Sequence, residues 1–327
     1  MKICVLGFGS WGTSISNLLA LKKHKIISWT KDERIIESMR WHENPYYFPG
    51  RKLPETIQIT NDLNKATSEA EMIVIAIPTQ AIRPVLAQIN LSGKTIINLS
   101  KGIEIKTGQF IHQICQELFG DDITYCSLSG PTHAEEVMEQ IPTNIVAASN
   151  DCKVLTDVQK IFTNDSFRVY TNDDIIGVEL CGALKNIYAI AAGIIDGLGP
   201  WDNTKAALIT RALMEMRRLG ENIGAKRETF MGLSGIGDMI VTCTSKHSRN
   251  RFVGEAIGKG GKIQNILHDL NMVAEGVYTV KALMAYLKVR QTEMPIAQKI
   301  YQVIYENNDP LKCIQELMER ELKPEFW

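Results

Sequence analysis

A glycine-rich segment directly after the first apolar run constrains the fold of this chain most strongly. Residues 2–6 form a short apolar run, and the next six residues, GFGSWG, have the spacing GxGxxG. Such a run predicts a buried strand. Gly7 permits a tight turn after the strand, Gly9 lets backbone approach a pyrophosphate closely, and Gly12 lets the following helix pack on the sheet. The segment therefore predicts a dinucleotide-binding turn.

The residues around this turn supply the context that a GxGxxG motif requires. Apolar residues at helical spacing occupy 13–22, and 25–29 reads as a second strand at the distance of a βαβ unit. At the end of that strand, Thr30 and Lys31 stand in place of the acid that would bind a ribose 2′-hydroxyl. Lys31 indicates tolerance of a 2′-phosphate, or else is a solvated lysine that opens the next helix. The sequence leaves the choice between NAD and NADP open.

Length and composition bound the remaining possibilities. The 327 residues favour two domains, and 45% hydrophobic residues with a net charge of -1 are typical of a globular protein without commitment to nucleic acid or anionic membrane. Seven scattered cysteines without a CxxC pair indicate free thiols in a reducing cytosol, and no histidine spacing predicts a metal. We expect no membrane span, because no run reaches ~18 apolar residues. We also expect no targeting segment, because the chain opens on a predicted strand without a basic region followed by an apolar stretch and a cleavage site.

The order of apolar patterns divides the chain in two. Runs typical of strands continue to about residue 170, at 57–60, 72–78, 95–99, 123–128, 144–148 and 167–170. Beyond them the spacing is helical, at 175–197, 203–223, 249–258, 276–288 and 294–306. We therefore predict an α/β Rossmann-type N-terminal domain at 1–174 and an all-helical C-terminal domain at 175–327.

Two lysines stand out against this background. The predicted strand 95–99 carries Lys101 to the sheet edge where ligands of open α/β sheets bind, although a lysine ending a strand in solvent is the alternative. Lys185 lies in an apolar helix, and its face carries Cys181, Gly182, Ala189 and Ala192. Its ammonium either snorkels to water or is desolvated. Desolvation and nearby cations lower a lysine pKa, as a general acid/base requires.

A glycine-rich loop and a basic segment complete the candidate site. The loop 232–238 ends in Asp238, which could hold a lysine or arginine, and Arg249 begins a predicted helix with Ser248 and Asn250 beside it. A guanidinium at a helix start suits a small phosphate. The alternatives are an N-cap acid and a solvated helix end. We expect His133 to be a surface histidine or one that supports the site indirectly.

These segments resemble bacterial NAD(P)-dependent glycerol-3-phosphate dehydrogenases over essentially the full length. The resemblance rests, in order, on GFGSWGT, NLSKGIE, LSGPTHAEEV, VELCGALKNIYAIAAG, DNTKAALITRALMEMRRLG, TFMGLSGIGDMIVTCTSKHSRNRFVG and VAEGV. Pro200-Trp201 and Lys31 depart from the family's usual residues, which leaves local loop shape and cofactor preference open.

The resemblance implies a role for each matching residue. It implies catalytic roles for Lys185 as proton acceptor, Lys101 and Asp238. Cofactor contacts are implied for Gly7, Gly9, Ser10, Trp11, Gly12, Lys31, Lys101, Ala134, Arg249 and Glu275. Substrate contacts are implied for Lys101, Gly130, Thr132, Lys185, Asp238, Ser248, Arg249 and Asn250. It further implies a homodimer that uses NAD or NADP and supplies phospholipid synthesis, and the free cysteines place that expected enzyme in the cytoplasm.

Two other functions compete with this interpretation. A β-hydroxyacid dehydrogenase also uses a helix lysine after a dinucleotide-binding domain, but its K-x-x-x-N pattern would need asparagine where Ala189 stands. A non-catalytic dinucleotide sensor would not need Lys185, Lys101 and Arg249 together.

Overall fold

A computed structural model describes residues 1–269, 273–290 and 292–325. Its first part alternates strands and helices. The elements are β1 (Lys2–Leu6), α1 (Ser10–Leu21), β2 (Lys25–Trp29), α2 (Glu33–Ser38), β3 (Ile57–Thr60), α3 (Leu63–Ser68), β4 (Met72–Ile75), α4 (Thr79–Leu86), β5 (Thr95–Asn98), α5 (Ile111–Phe119), β6 (Thr124–Ser129), α6 (Ala134–Met138), β7 (Thr143–Ala148), α7 (Cys152–Phe162) and β8 (Phe167–Asn172).

The regular elements described in the second part are all helices. It contains α8 (Ile175–Leu198), α9 (Asp202–Asn222), α10 (Asp238–Thr244), α11 (Arg249–Gly258), α12 (Ile263–Asp269), α13 (Glu275–Arg290), α14 (Pro295–Tyr305) and α15 (Pro310–Met318). A 3₁₀ turn at Arg227–Met231 and a π turn at Leu233–Gly237 lead into α10. The predicted fold class, a Rossmann-type α/β domain followed by helices, is confirmed.

One eight-stranded sheet organises the first part, in the order β3-β2-β1-β4-β5-β6-β7-β8. All neighbours are parallel except β6 and β7. The strand order reverses beside β1, which pairs with β2 on one side and with β4 on the other. Ligands of open parallel sheets bind outside the carboxyl ends of the strands at such a reversal. The glycine turn follows β1 there, so the topology directs a ligand to it.

The strands and most of the longer helices were predicted from the sequence, but six helices of 5 to 11 residues were missed. α3, α6 and α7 lie between strands where no helix was predicted, and α10, α12 and α15 were also missed. Helices of five to nine residues, such as α6 and α15, show too few turns for a clear apolar period. α1 begins at Ser10 rather than Thr13, and the strand expected over 72–78 ends at Ile75.

The long helix α8 is the core of the helical part. By length and composition it could cross a membrane, contrary to the expectation of no membrane span, but 89% of its apolar window is buried inside the protein. Its most extensive contact is with α11, and glycines of both helices lie at that contact. A Cβ on Gly193 would overlap the carbonyl oxygen of Arg251, and one on Gly254 would overlap that of Ile190. The two backbones therefore touch, which fixes the start of α11 beside the middle of α8.

Candidate active site

A cleft of about 520 Å³ lies between the carboxyl edge of the sheet and the helical part. Both parts of the chain contribute its walls. Its lining includes Gly7, Gly9, Ser10, Trp11, Lys31, Lys101, Thr132, Ala134, Lys185, Asp238, Ser248, Arg249, Asn250 and Glu275. The cleft therefore gathers almost every predicted site residue, and Gly12 and Gly130 lie beside it.

The dinucleotide turn has the geometry that its sequence predicts. Gly7 has a φ of +104°, which favours glycine, and a Cβ on Gly12 would overlap the carbonyl oxygen of Gly7. A Cβ on Gly9 would meet only the Tyr47 ring, at 3.8 Å, so the backbone here faces open space. The first N–H groups of α1 have no partner within the helix. Open backbone and free N–H groups at a helix start fit a pyrophosphate.

The structure excludes one earlier interpretation of the end of β2, namely that Lys31 opens the next helix. Thr30 is buried, and its Oγ1 accepts a hydrogen bond from the backbone N–H of Asp32 at 3.2 Å. Lys31 lines the cleft with Nζ 5.8 Å from the Trp29 ring centroid, and α2 starts only at Glu33, so Lys31 does not open that helix. Asp32 caps α2 and holds Arg34. The nearest acid is thus already engaged.

Lys185 and Lys101 meet on one buried carboxylate. The side chain of Asp238 is 1% exposed; its Oδ2 accepts from Lys101 Nζ at 2.8 Å and its Oδ1 accepts from Lys185 Nζ. Lys185 Nζ also donates to Thr242 Oγ1 at 2.8 Å, and Lys101 Nζ donates to the carbonyl oxygen of Gly130 at 3.1 Å. Lys185 is therefore desolvated rather than snorkelling, and Asp238 holds two lysines rather than capping α10.

Burial and charge set the protonation of this cluster. Burial lowers the pKa of Lys185 to about 7; Asp238 opposes that shift and Lys101 adds to it. Burial alone would raise the pKa of Asp238, but the two ammonium groups outweigh it and lower that pKa. Asp238 thus stays ionised while Lys185 can gain or lose a proton near neutral pH. This is the behaviour of a general acid/base.

A second set of polar groups lines the cleft at the start of α11. Arg249 is exposed there, with Nη1 3.4 Å from the carbonyl oxygen of Val273. Asn250 donates from Nδ2 to Asn186 Oδ1 and accepts at Oδ1 from the N–H of Gly276, both at 2.9 Å. The Ser248 hydroxyl caps α11 by accepting from the N–H of Arg251. These bonds fix Ser248 and Asn250 beside an accessible guanidinium.

Three further predicted residues border the same cleft. Glu275 Oε1 accepts from the N–H of Thr79, 3.2 Å away at the start of α4, and burial raises the pKa of Glu275 to about 7. Thr132 Oγ1 donates to the carbonyl oxygen of Gly130 at 3.1 Å. The carbonyl oxygen of Ala134 accepts from Ser14 Oγ at 2.7 Å, which ties α6 to α1.

Some site residues were missed or misjudged from the sequence. Thr242 and Asn186 line the cleft, and only the i,i+4 spacing from Asp238 hinted at Thr242. His133, expected at the surface or in a supporting position, lines the cleft instead, with its ring 5.6 Å from that of His247. Its buried Nε2 has no hydrogen-bond partner among the described residues. Burial, then the charge of Lys185, lowers its pKa.

Metal binding finds no support in the part of the chain that the structure describes. No three His, Cys, Asp or Glu side chains there are grouped so as to hold an ion. The expectation that no metal takes part remains a prediction.

The family models and the curated relatives that match this chain all describe one enzyme family. Residues 2–155 match the family model for the NAD-dependent glycerol-3-phosphate dehydrogenase N-terminus, and residues 174–315 match the model for its C-terminus. Among curated proteins, the chain is 46% identical to glycerol-3-phosphate dehydrogenase [NAD(P)+] of Geobacter sulfurreducens, over 100% of this chain and 99% of that one. It is 44% identical to the protein of the same name from Thermotoga sp. strain RQ2, with the same coverage.

Solved structures agree with the sequence comparisons. The glycerol-3-phosphate dehydrogenase of Coxiella burnetii superposes with a TM-score of 0.93 at 36% identity, covering 98% of this chain and 99% of that one. A ketopantoate reductase from Ralstonia eutropha has a TM-score of 0.63 at 10% identity, covering 96% of this chain and 100% of that one. The second likeness concerns the fold alone.

Proposed function

This chain belongs to the NAD-dependent glycerol-3-phosphate dehydrogenase family, and from that premise we propose what its own residues do in the reaction. It is an NAD(P)-dependent oxidoreductase that interconverts sn-glycerol 3-phosphate and dihydroxyacetone phosphate. Neither the β-hydroxyacid dehydrogenase nor the non-catalytic sensor fits this membership. The proposed roles of individual residues rest on the geometry of the cleft.

Lys185 exchanges the proton of the reacting oxygen. Neutral Lys185 takes the proton from the C2 hydroxyl of glycerol phosphate during oxidation, and its ammonium returns the proton when the ketone is reduced. Lys101 polarises the same oxygen, and Asp238 holds both amines in place. Hydride exchange between C2 and C4 of the nicotinamide is the chemistry that NAD(P) supplies when bound. The observation that carries these roles is the buried amine of Lys185 on a carboxylate shared with Lys101.

The glycine turn and the start of α1 would hold the pyrophosphate, with Ser10 and Trp11 beside it. Ala134, Arg249 and Glu275 would border the rest of the dinucleotide. For the substrate, Arg249 offers a bidentate contact to the phosphate, and Ser248, Asn250, Thr132 and Gly130 surround it with neutral polar groups.

A spectrophotometric assay tests this function. We expect purified protein to oxidise NADH or NADPH, followed by absorbance near 340 nm, when dihydroxyacetone phosphate is added. A 2-oxo acid such as ketopantoate should give no turnover under the same conditions. Turnover with the oxo acid and none with dihydroxyacetone phosphate would overturn the assignment.

Replacing Arg249 by lysine tests the phosphate contact. Lysine keeps the positive charge but loses the planar fork that pairs with a phosphate at two points. We expect the KM for dihydroxyacetone phosphate to rise about ten-fold or more, since a charge-assisted hydrogen bond contributes ~1.5–3 kcal/mol. Lys246→Arg, an exposed change on the preceding loop, is the control and should leave KM unaltered. An unaltered KM in Arg249→Lys would remove Arg249 from the phosphate site.

The end of β2 predicts how the enzyme distinguishes its cofactors. One exposed cation, Lys31, contributes ~0.2–1 kcal/mol toward a 2′-phosphate, so we expect use of both cofactors with a mild preference for NADPH. Lys31→Ala should lower kcat/KM for NADPH only a few-fold. Thr30→Asp adds an acid that repels the 2′-phosphate of NADPH and can hydrogen-bond the ribose 2′-hydroxyl of NADH. The ratio of kcat/KM for NADH to that for NADPH should therefore rise more than about ten-fold. An unmodified enzyme that already favours NADH ten-fold would contradict this interpretation.

The wider setting of the enzyme is also proposed. The domain boundary falls between residues 174 and 175, where α8 begins. The protein acts on a small molecule in the cytoplasm, as a homodimer without nucleic acid or membrane insertion, and supplies glycerol phosphate for phospholipid synthesis. The burial of α8, the one membrane-length helix among the described residues, favours a core role for that helix.

A further inference from the structure

A buried acid that the proposed mechanism does not use lies on α8, six residues before Lys185. The side chain of Glu179 is 4% exposed, and its hydrogen-bond partners among the described residues belong to the sheet part of the chain. Six residues of helix span about 9 Å. Glu179 therefore lies outside the cleft but on the helix that carries Lys185.

Glu179 is saturated with hydrogen bonds from three elements. Its Oε1 accepts from Tyr125 of β6 and from Asn98 Nδ2 of β5, the latter at 3.2 Å. Its Oε2 accepts from the backbone N–H of His112 in α5 at 3.2 Å and lies 2.8 Å from His112 Nδ1. Burial lowers the pKa of His112, but Glu179 more than offsets this, so that pKa is raised overall. One carboxylate thus joins α8 to β5, β6 and α5.

The contact with Asn98 continues to the second catalytic lysine. Asn98 is fully buried; its Nδ2 also donates to the carbonyl oxygen of Ser100 at 3.1 Å, and its Oδ1 accepts from the N–H of Ser100 at 2.9 Å. Ser100 Oγ donates to the carbonyl oxygen of Ile77. These bonds shape the loop that presents Lys101 to Asp238. The same carboxylate therefore holds the strand end before Lys101 and the helix of Lys185.

We propose that Glu179 is a positioning residue that keeps Lys101 and Lys185 in register across the two parts of the chain, so that both reach Asp238. The inference rests on the proposed roles of those lysines. Glu179 touches neither amine, and it acts through Asn98 on one side and through α8 on the other. Misplacing a catalytic group by about 1 Å can cost ~100-fold in rate.

The test compares Glu179→Gln with Glu215→Gln. Glu215 is a buried acid of α9, 3% exposed, and its described hydrogen bonds, to Tyr188 and to the N–H groups of Ile296 and Ala297, lie within the helical part. It controls for the loss of a buried carboxylate that does not join the two parts. Three quantities are measured: kcat, the Kd of NADPH, and amide hydrogen exchange of residues 98–102.

We expect Glu179→Gln to lower kcat ten-fold or more, leave the Kd of NADPH within about two-fold, and speed exchange at 98–102. Glu215→Gln should lower Tm without changing kcat or that exchange. Unchanged exchange at 98–102, or a kcat within two-fold of wild type, would overturn the proposal. Amide exchange is measured without substrate turnover. If wild-type protein lacked the proposed dehydrogenase activity, its kcat would show this, while the exchange of residues 98–102 would still test the role of Glu179.

A milder variant covers the case in which Glu179→Gln does not fold. Tyr125→Phe removes one donor to Glu179 Oε1 and keeps the ring. It should change kcat and the exchange of residues 98–102 in the same direction, by two- to five-fold, with Tm falling little. A Tyr125→Phe enzyme equal to wild type in both readings would contradict the proposal.

Discussion

Replacing Lys185 by alanine is expected to lower kcat by about 10²–10⁴-fold, the range that general acid/base catalysis contributes. Alanine cannot exchange a proton with the C2 oxygen, and Thr242 and Asp238 lose the amine that they bind. The Kd of NADPH, followed by its fluorescence, should stay within about three-fold. The glycine turn and α1 hold the dinucleotide without this lysine.

Lys259→Ala is the matched control for that experiment. Lys259 directly follows α11 in the second part, its side chain is 63% exposed, and it pairs with Glu255 one helical turn earlier. It should keep wild-type kcat. If Lys185→Ala lost turnover and dinucleotide binding together, Lys185 would be a structural residue rather than the proton-exchanging group.

Replacing Asp238 by asparagine is expected to destabilise the fold and shift catalysis to lower pH. Asparagine leaves the buried amine of Lys185 and the half-buried amine of Lys101 without their anion, and breaking a buried ion pair in this way costs ~3–5 kcal/mol. Asp238 raises the pKa of Lys185 against the effect of burial, so its loss lowers that pKa further. The cost should be largest below pH 7, where wild-type Lys185 is charged, and smaller above it, where Lys185 is neutral in both proteins.

Urea unfolding at pH 6 and pH 8.5 measures this difference. Asp196→Asn provides a comparison, because Asp196 also lies between two cations, Lys205 and Arg251, but is 16% exposed. Its loss should cost clearly less at pH 6. Equal costs for the two variants, or a cost for Asp238→Asn that does not depend on pH, would contradict the account of the buried cluster.

The sequence predicted those features that a single segment encodes. The GxGxxG turn, the buried strands and the position of Lys185 on an apolar helix face follow from local periodicity and glycine spacing, and each has a structural counterpart. Short helices such as α6 and α15 were missed because they have too few turns to show a clear apolar period. Local patterns therefore sufficed for the architecture but not for every element.

Contacts between residues that are far apart in the sequence could not be predicted from the sequence. Asp238 was predicted to hold a lysine or arginine, but its binding of both lysines depends on segments 53 and 137 residues away. Likewise, the partners of Glu179 are 54 to 81 residues distant. The backbone contact of α8 with α11 is encoded by Gly193 and Gly254, whose pairing only the fold reveals. A single sequence gives residue types, whereas such pairs exist only after the two parts pack together.

The pH dependence of kcat/KM in both directions tests the role of Lys185 most directly. Oxidation of glycerol phosphate needs the neutral amine, so its kcat/KM should rise with pH through about 7, while reduction of dihydroxyacetone phosphate needs the ammonium and should fall through the same pH. In Asp238→Asn, the pH at which kcat/KM rises or falls, the limb of the profile, should be lower. Profiles without a limb between pH 6 and 8, or a limb that Asp238→Asn leaves in place, would contradict the assignment of Lys185 as the proton-exchanging group.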